Sequence, residues 1–188
     1  MIYLKTDEEV ERMRRSNDLL GRALAEVAKA VQPGVTTAQL DKIAHDYICD
    51  NGGVPSCLGY EGYPATLCTS VNEQVVHGIP SDKVVLRDGD MIDVDCCVLL
   101  DGFQADSAYT FPVGEVAPET LQLMRTTKEA LYMGIAEAVT GHRLGDIGFA
   151  IQSYCEKAGY SVVREFVGHG IGREMHEDPE VCNYGRRG

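Results

Sequence analysis

The sequence is 188 residues long, with 44% hydrophobic and 24% charged residues, a balance that suits one folded domain and excludes a disordered chain. The formal net charge of -12 would repel a phosphate backbone, so we expect no nucleic-acid partner. No stretch approaches the ~18 continuous apolar residues that a membrane span needs, and the first residues do not resemble a secretory signal. We therefore expect a soluble, cytoplasmic protein without a membrane partner.

Two amphipathic helices are predicted at the start of the chain. Thr6 and Glu9 have the spacing of a capping box, and apolar residues then recur at helical spacing until residues 33–34, which are Pro-Gly. A second helix is predicted to begin at residue 36 or 37 and to end at the Asn-Gly-Gly of residues 51–53.

The periodicity then changes from helical to that of strands. Segments rich in β-branched and aromatic residues are separated by turn residues such as Asp101-Gly102, which predicts an antiparallel sheet. The predicted strands cover residues 65–70, 74–78, 91–100 and 103–113.

Helical periodicity returns in the last third of the chain. Helices are predicted from Pro118 and from Asp146, the second ending near Gly159, and an apolar strand is predicted over residues 161–167. The order helix, helix, strand thus occurs twice, although that order is common enough to recur by chance.

The domain prediction is a single domain over residues 1–188, with a first half at 1–114 and an incomplete second half at 115–188. The second half lacks the several strands that complete the first and closes with a loop-like run over residues 183–188. Because its helices would leave apolar faces uncovered, we expect a domain whose C-terminal part is missing.

Most of the cysteines are expected to be reduced. Seven is an odd number, and none has C-x-x-C spacing, so neither a disulfide framework nor a zinc ribbon is predicted.

Asp95 and Asp106 are candidate metal ligands on the two strands that flank the Asp101-Gly102 turn. If that turn is a two-residue hairpin loop, residue 97 lies opposite Asp106, and Asp95 is a diagonal neighbour on the same face. Converging carboxylates repel each other unless a cation lies between them. Two alternatives remain: both residues are surface charges, or Asp93, which shares their face, takes the place of Asp95.

Three histidines are further candidates. His169 lies in a glycine-rich run where the backbone can approach a ligand closely, and His176 follows it at a spacing unlike a helical zinc motif, so the two need not share a role. His77 precedes a glycine at the end of a predicted strand. Each could instead be structural, and His45 and His142 have no partner motif.

Five motifs together resemble the type I methionine aminopeptidases over nearly the whole chain. They are Cys57-Leu58-Gly59-Tyr60-Glu61-Gly62-Tyr63-Pro64, Val76-His77-Gly78-Ile79-Pro80, residues 90–95, Asp101-Gly102-Phe103 with Asp106, and Gly168-His169-Gly170-Ile171-Gly172.

The resemblance implies an α+β pita-bread fold whose two halves enclose two divalent ions, which could be Co, Mn, Fe or Zn. Asp95 would bind one ion, Asp106 both, and His169 the second. Family members add two glutamate ligands later in the chain, so we expect incomplete metal binding by these 188 residues.

The resemblance also implies substrate contacts. His77 and His176 would be catalytic residues that contact the substrate and stabilise the tetrahedral intermediate. The wall of the methionine pocket would be formed by Cys57, Tyr60, Tyr63 and Cys68. Many relatives carry an aromatic residue where this sequence has Met175, so the shape of the pocket is open.

The predicted function is hydrolysis of the first peptide bond of nascent or short peptides that begin with methionine, by a monomer that works transiently near ribosomes. In the predicted chemistry the ions acidify a water molecule and polarise the scissile carbonyl. The alternative is a binding or scaffold protein that keeps part of the fold without catalysis.

Overall fold

The computed structural model describes all 188 residues, which form two compact units. The N-terminal unit comprises Tyr3–Ala117 together with Ile171–Met175. The C-terminal unit comprises Pro118–Gly170 and His176–Gly188, together with Met1–Ile2.

The N-terminal unit contains two helices, a four-stranded sheet and one short 3₁₀ turn. In chain order they are α1 (Asp7–Ala30), α2 (Thr37–Asp50), β1 (Val54–Pro55), the 3₁₀ turn (Tyr60–Gly62), β2 (Leu67–Val71), β3 (Met91–Leu100) and β4 (Phe103–Pro112).

Both predicted N-terminal helices are confirmed, and each begins at a capping box. The Glu9 amide donates to Thr6 Oγ1 at 3.3 Å, and the Thr6 amide donates to Glu9 Oε2 at 2.9 Å. Thr36 and Gln39 exchange the same two bonds at the start of α2. These bonds satisfy amide groups that the first turn of a helix leaves without partners, so the local sequence decides where each helix begins.

Strand β3 is the centre of the sheet. It pairs antiparallel with β4 along one edge and with β2 and β1 along the other. Its even-numbered residues from Ile92 to Val98 are fully buried and face the core, to which α1 contributes Leu19, Leu20 and Val27. Alternation along a strand then places the odd-numbered residues of β3 on the opposite face of the sheet.

The predicted strand over residues 74–78 is wrong. Asn72 and His77 have φ angles of 54° and 59°, which an extended strand cannot accommodate. The segment forms a turn and a loop instead, and the Thr69 amide of β2 donates to the Gly78 carbonyl at 2.7 Å. One point of the loop is therefore held against the sheet.

The C-terminal unit contains two helices and a short antiparallel ribbon: α3 (Pro118–Glu137), α4 (Leu144–Lys157), β5 (Gly168–Gly170) and β6 (Glu177–Val181). Both helices were predicted. The strand predicted over residues 161–167 is wrong, because strand pairing begins only at Gly168, where β6 supplies a partner. The apolar residues of α3 that lie at the surface are Leu121, Leu131, Tyr132, Met133 and Ile135.

None of the four α-helices combines the length and the apolar character that crossing a bilayer requires.

Candidate metal centre

The two candidate carboxylates of the N-terminal unit lie on the sheet face opposite the core. Asp101 and Gly102 have φ angles of 53° and 81°, as a two-residue hairpin turn of type I′ requires. Cys97 consequently pairs with Asp106, and Asp95 pairs with Ala108. Asp95 and Asp106 are therefore diagonal neighbours on one face, as predicted.

The donor atoms at this place suit a divalent cation. One ligand atom from each of Asp95, Cys97 and Asp106 lies within 4.8 Å of the other two. Asp95 Oδ1 is buried and makes no hydrogen bond. A buried carboxylate oxygen without a donor is costly, and a cation between the two acids would supply the missing partner. The residues present fit a metal ion.

The electrostatics of the site support the same interpretation. Burial, reinforced by the neighbouring Asp106 carboxylate, raises the pKa of Asp95 to about 8. A cation bound beside Asp95 would favour the ionised form of its carboxyl group.

Asp93 takes a different position from Asp95. It pairs with Thr110, whose hydroxyl donates to Asp93 Oδ1 at 3.3 Å, and burial raises the pKa of Asp93. It does not belong to the group of converging ligand atoms. The geometry thus favours Asp95 over Asp93 as the partner of Asp106.

A cluster of thiols lies beside the carboxylates. Cys57 and Cys97 pack with Met175, and Tyr63 borders them. Cys68 lies opposite Asp95 on β2 and contacts Cys57. The sulfur groups and the Tyr63 ring form a largely apolar wall next to the acids, whereas Tyr60 is 40% exposed.

The Cys57 and Cys68 thiols are expected to stay protonated near neutral pH. Contact with Cys68 lowers the pKa of Cys57, but contact with Cys97 and burial together raise it to about 12. Contact with Cys57 and burial raise the pKa of Cys68 well above its usual range. Uncharged thiols suit an apolar ligand.

His77 sits in a loop that is fastened to β2. The Tyr63 hydroxyl lies 3.0 Å from the Leu67 carbonyl oxygen and 3.1 Å from that of Gly78, so its proton is shared between them. The Gly78 amide donates to Ser70 Oγ at 3.1 Å. A Cβ at Gly78 would lie 2.1 Å from the Thr69 carbonyl oxygen, so only glycine permits this approach.

His169 and His176 meet in the C-terminal unit, where their ring centroids are 4.3 Å apart. His169 lies on β5, and its Nδ1 is 2.9 Å from the Gly170 carbonyl oxygen. Because a carbonyl only accepts hydrogen bonds, Nδ1 must carry the proton, which places the lone pair on Nε2. This is the tautomer that a metal-binding imidazole needs.

The position of Met175 depends on residues 171–175, whose contact with the sheet was not predicted from the sequence. The Gln104 amide of β4 donates to the Gly172 carbonyl at 2.7 Å. Arg173 bonds to Glu9 at 3.0 Å and lies 4.7 Å above the Phe103 ring. Residues 171–175 are thereby held against β4 and α1.

Cys97 belongs to the group of converging donor atoms but was not among the residues predicted from the sequence. Two features of the sequence could have indicated it: Cys97 is two residues from Asp95 and so lies on the same face of β3, and it lies opposite Asp106 in the predicted hairpin.

A mixed helix-and-sheet fold with converging carboxylates on one sheet face is the arrangement of a metal-dependent enzyme. The chain belongs to metallopeptidase family M24, whose model matches residues 11–188.

Similar proteins are known from several bacteria. The chain is 53% identical over 188 residues to a methionine aminopeptidase of Clostridium acetobutylicum and 49% identical to one of Clostridium perfringens, and it spans 75% of each. It is 44% identical to methionine aminopeptidase 1 of Bacillus subtilis, of which it spans 74%. About a quarter of each relative's length thus has no counterpart in these 188 residues.

Solved structures confirm the predicted fold class. Methionine aminopeptidases from Rickettsia prowazekii and Thermotoga maritima both match the whole chain with TM-scores of 0.97, at 43% and 39% identity, and the chain covers 75% and 76% of them. A prolidase from Pyrococcus furiosus, at 20% identity, matches with a TM-score of 0.84 over 97% of this chain and 52% of its own, which supports the fold alone.

Proposed function

We propose that this protein removes N-terminal methionine from peptides by metal-dependent hydrolysis of the first peptide bond. The observation that carries the proposal is the convergence of Asp95 and Asp106 on a buried sheet face, where Asp95 Oδ1 has no hydrogen-bond donor. The relatives at 44–53% identity are methionine aminopeptidases. An arrangement of this kind costs stability unless a cation binds.

Two divalent ions are proposed, with Co, Mn, Fe or Zn as candidates. Asp95 would bind one ion, Asp106 would bridge both, and His169 would bind the second through Nε2. When bound, the ions supply Lewis-acid activation of water and of the scissile carbonyl group. The Nδ1 bond of His169 to Gly170 supports its assignment, because that bond orients the ring and sets its tautomer.

His77 and His176 are proposed to act on the substrate. An imidazole can donate a hydrogen bond to the oxygen that develops negative charge, and it can hold the peptide in register. The hydrogen bonds of the Gly78 backbone support this role for His77, because they hold the 76–80 loop in place before substrate binds.

The side chain of the first residue is proposed to lie against Cys57, Tyr63 and Cys68, with Tyr60 at the exposed rim. Protonated thiols and an aromatic ring offer polarizable, uncharged contacts to a thioether, so methionine binds there without desolvating a charge. Met175 adds a flexible sulfur side chain where a rigid aromatic ring would narrow the pocket.

The substrates are proposed to be nascent or short peptides, met in the cytoplasm and transiently near ribosomes by a monomeric enzyme. The alternative, a scaffold without catalysis, is disfavoured because a structural protein gains nothing from two converging, partly buried carboxylates.

The proposal is tested by methionine release from Met-Ala-Ser with added Mn²⁺ or Co²⁺. Asp106→Ala should lower turnover by more than about a hundredfold. Loss of a residue that only hydrogen-bonds to a metal ligand costs at most about a hundredfold, so a larger loss indicates a ligand. Asp50→Asn, an exposed site at the end of α2, is the matched control and should keep full activity. Turnover that survives Asp106→Ala would refute the metal assignment.

Metal content separates the proposed roles of the other residues. Asp95→Asn and His169→Gln should each lose bound metal, measured by elemental analysis after gel filtration. His176→Gln should keep its metal and lose about a hundredfold in kcat, the scale of one acid-base or hydrogen-bonding group. If Asp93→Asn loses metal and Asp95→Asn keeps it, the ligand is Asp93 instead.

A further inference from the structure

We infer that Cys97 is an additional ligand of the ion that Asp95 and Asp106 bind. The inference rests on the proposed metal centre and extends it by a sulfur donor. Cys97 lies directly opposite Asp106 and two residues from Asp95, on the same face of the sheet. Its thiol sulfur belongs to the group whose ligand atoms all lie within 4.8 Å of one another.

The position of the sulfur follows from the backbone. Residues 95 and 97 of β3 share one face, and the hairpin register places residue 106 across from 97. Cys97 is only 3% exposed, so its thiol is kept from bulk water on the side where the Asp95 Oδ1 atom is buried without a partner. Three donors therefore converge on one protected place.

A sulfur donor changes which ions the site prefers. Two carboxylates alone suit hard ions such as Mn²⁺, whereas a thiolate adds affinity for Zn²⁺ and Co²⁺. On binding, the S–H proton leaves to solvent and a sulfur–metal bond forms, since a coordinating thiol is deprotonated by the charge of the ion. The ion keeps its oxidation state, so no further reactant is needed.

A competing role for Cys97 is packing. Its side chain also contacts Cys57 and belongs to the cluster with Met175, so it could serve only as part of the apolar wall. The two roles differ in one observable property: a wall residue leaves the absorption spectrum of a bound metal unchanged, whereas a ligand sulfur contributes a charge-transfer band.

The experiment is near-ultraviolet absorption of the Co²⁺-loaded protein, recorded at equal bound Co²⁺ for the wild type, Cys97→Ser and Cys57→Ser. The wild type and Cys57→Ser should show a sulfur-to-cobalt band that Cys97→Ser lacks. Zn²⁺ affinity should fall by at least about tenfold in Cys97→Ser, because even the loss of a residue that only bonds to a ligand costs that much. Mn²⁺ affinity should fall less, since Mn²⁺ prefers oxygen ligands. Cys97→Ala provides a second variant, and circular dichroism checks the folding of each.

The outcomes separate this inference from the function that it extends. Stoichiometric Co²⁺ without a charge-transfer band, or a band that persists in both Cys97 variants, would overturn the sulfur ligand and leave the peptidase proposal standing. A wild-type protein that binds no Co²⁺ would overturn both. A band that is lost in Cys57→Ser but kept in Cys97→Ser would identify Cys57 as the sulfur ligand and refute the inference.

Discussion

The Tyr63 hydroxyl links two parts of the candidate site, because it shares its proton between the carbonyl groups of Leu67 and Gly78. One side of this link is strand β2, which carries Cys68 opposite Asp95, and the other is the loop that carries His77. A single partly buried phenol thus couples the proposed pocket wall to the position of a proposed substrate-binding histidine. Its aromatic ring and its hydroxyl have separate roles.

Tyr63→Phe should therefore lower the free energy of unfolding by about 1 kcal/mol, the net value of one hydrogen bond, while the ring keeps its packing. Urea denaturation measures the change. Tyr132→Phe, at a position that is 59% exposed on α3, is the control and should shift stability by less than about 0.5 kcal/mol. Equal effects of the two substitutions would mean that the Tyr63 hydroxyl stabilises nothing.

The proximity of Asp95 and Asp106 was predictable from the sequence of one hairpin. The Asp101-Gly102 turn sets the hairpin register, and that register makes Asp95 and Asp106 neighbours without any knowledge of the rest of the chain. Parity could not decide between Asp93 and Asp95, because both lie on the same face. The structure adds two observations: the Thr110 hydroxyl bonds to Asp93 across the strand pair, and Asp95 rather than Asp93 belongs to the group of converging donor atoms.

Helical glycines show how packing modifies a local preference. Gly21 of α1 has open space where a Cβ would be placed, whereas a Cβ on Gly134 of α3 would lie 2.7 Å from Ile151 Cδ1 of α4. Both glycines weaken an isolated helix to the same degree. Only Gly134 permits the close contact between two helices.

Gly21→Ala should consequently raise the free energy of unfolding by about 0.8 kcal/mol, the difference in helix propensity. Gly134→Ala should lower the free energy of unfolding by about 1 kcal/mol, because the cost of overpacking against α4 exceeds the gain in helix propensity. Thermal and urea unfolding of the two variants measure the difference in sign. Stabilisation by both substitutions would show that α3 and α4 can move apart without cost.

The strand predictions are confirmed for β2, β3 and β4 and are wrong for residues 74–78 and 161–167. β3 and β4 are joined by a tight turn, so alternation and turn residues were sufficient. Residues 161–167 are apolar enough for a strand, yet pairing occurs at Gly168–Gly170 because β6 lies beside them. A strand exists only with a partner, and the partner of β5 has no signal in its own sequence, which contains Asp178, Pro179 and Glu180.

Metal binding should stabilise the folded protein as a whole, because the converging donors exist only in the native state. At a free ion concentration ~100 times its dissociation constant, the free energy of unfolding should rise by about 2.7 kcal/mol. Thermal unfolding of the protein with Co²⁺ and after removal of metal by EDTA measures this gain. In Asp106→Asn the gain should disappear, and an unchanged gain would place the ion elsewhere.

Local sequence determined the helix starts at Thr6 and Thr36, the hairpin of β3 and β4, and the shared face of Asp95 and Asp106, since each depends on residues a few positions apart. Tertiary structure alone decided that Tyr63 binds the Gly78 carbonyl and that residues 171–175 lie against β4, which brings Met175 to Cys57 and Cys97. Such contacts join segments far apart in the chain, where the gain from burying both surfaces, rather than any local periodicity, selects the partner.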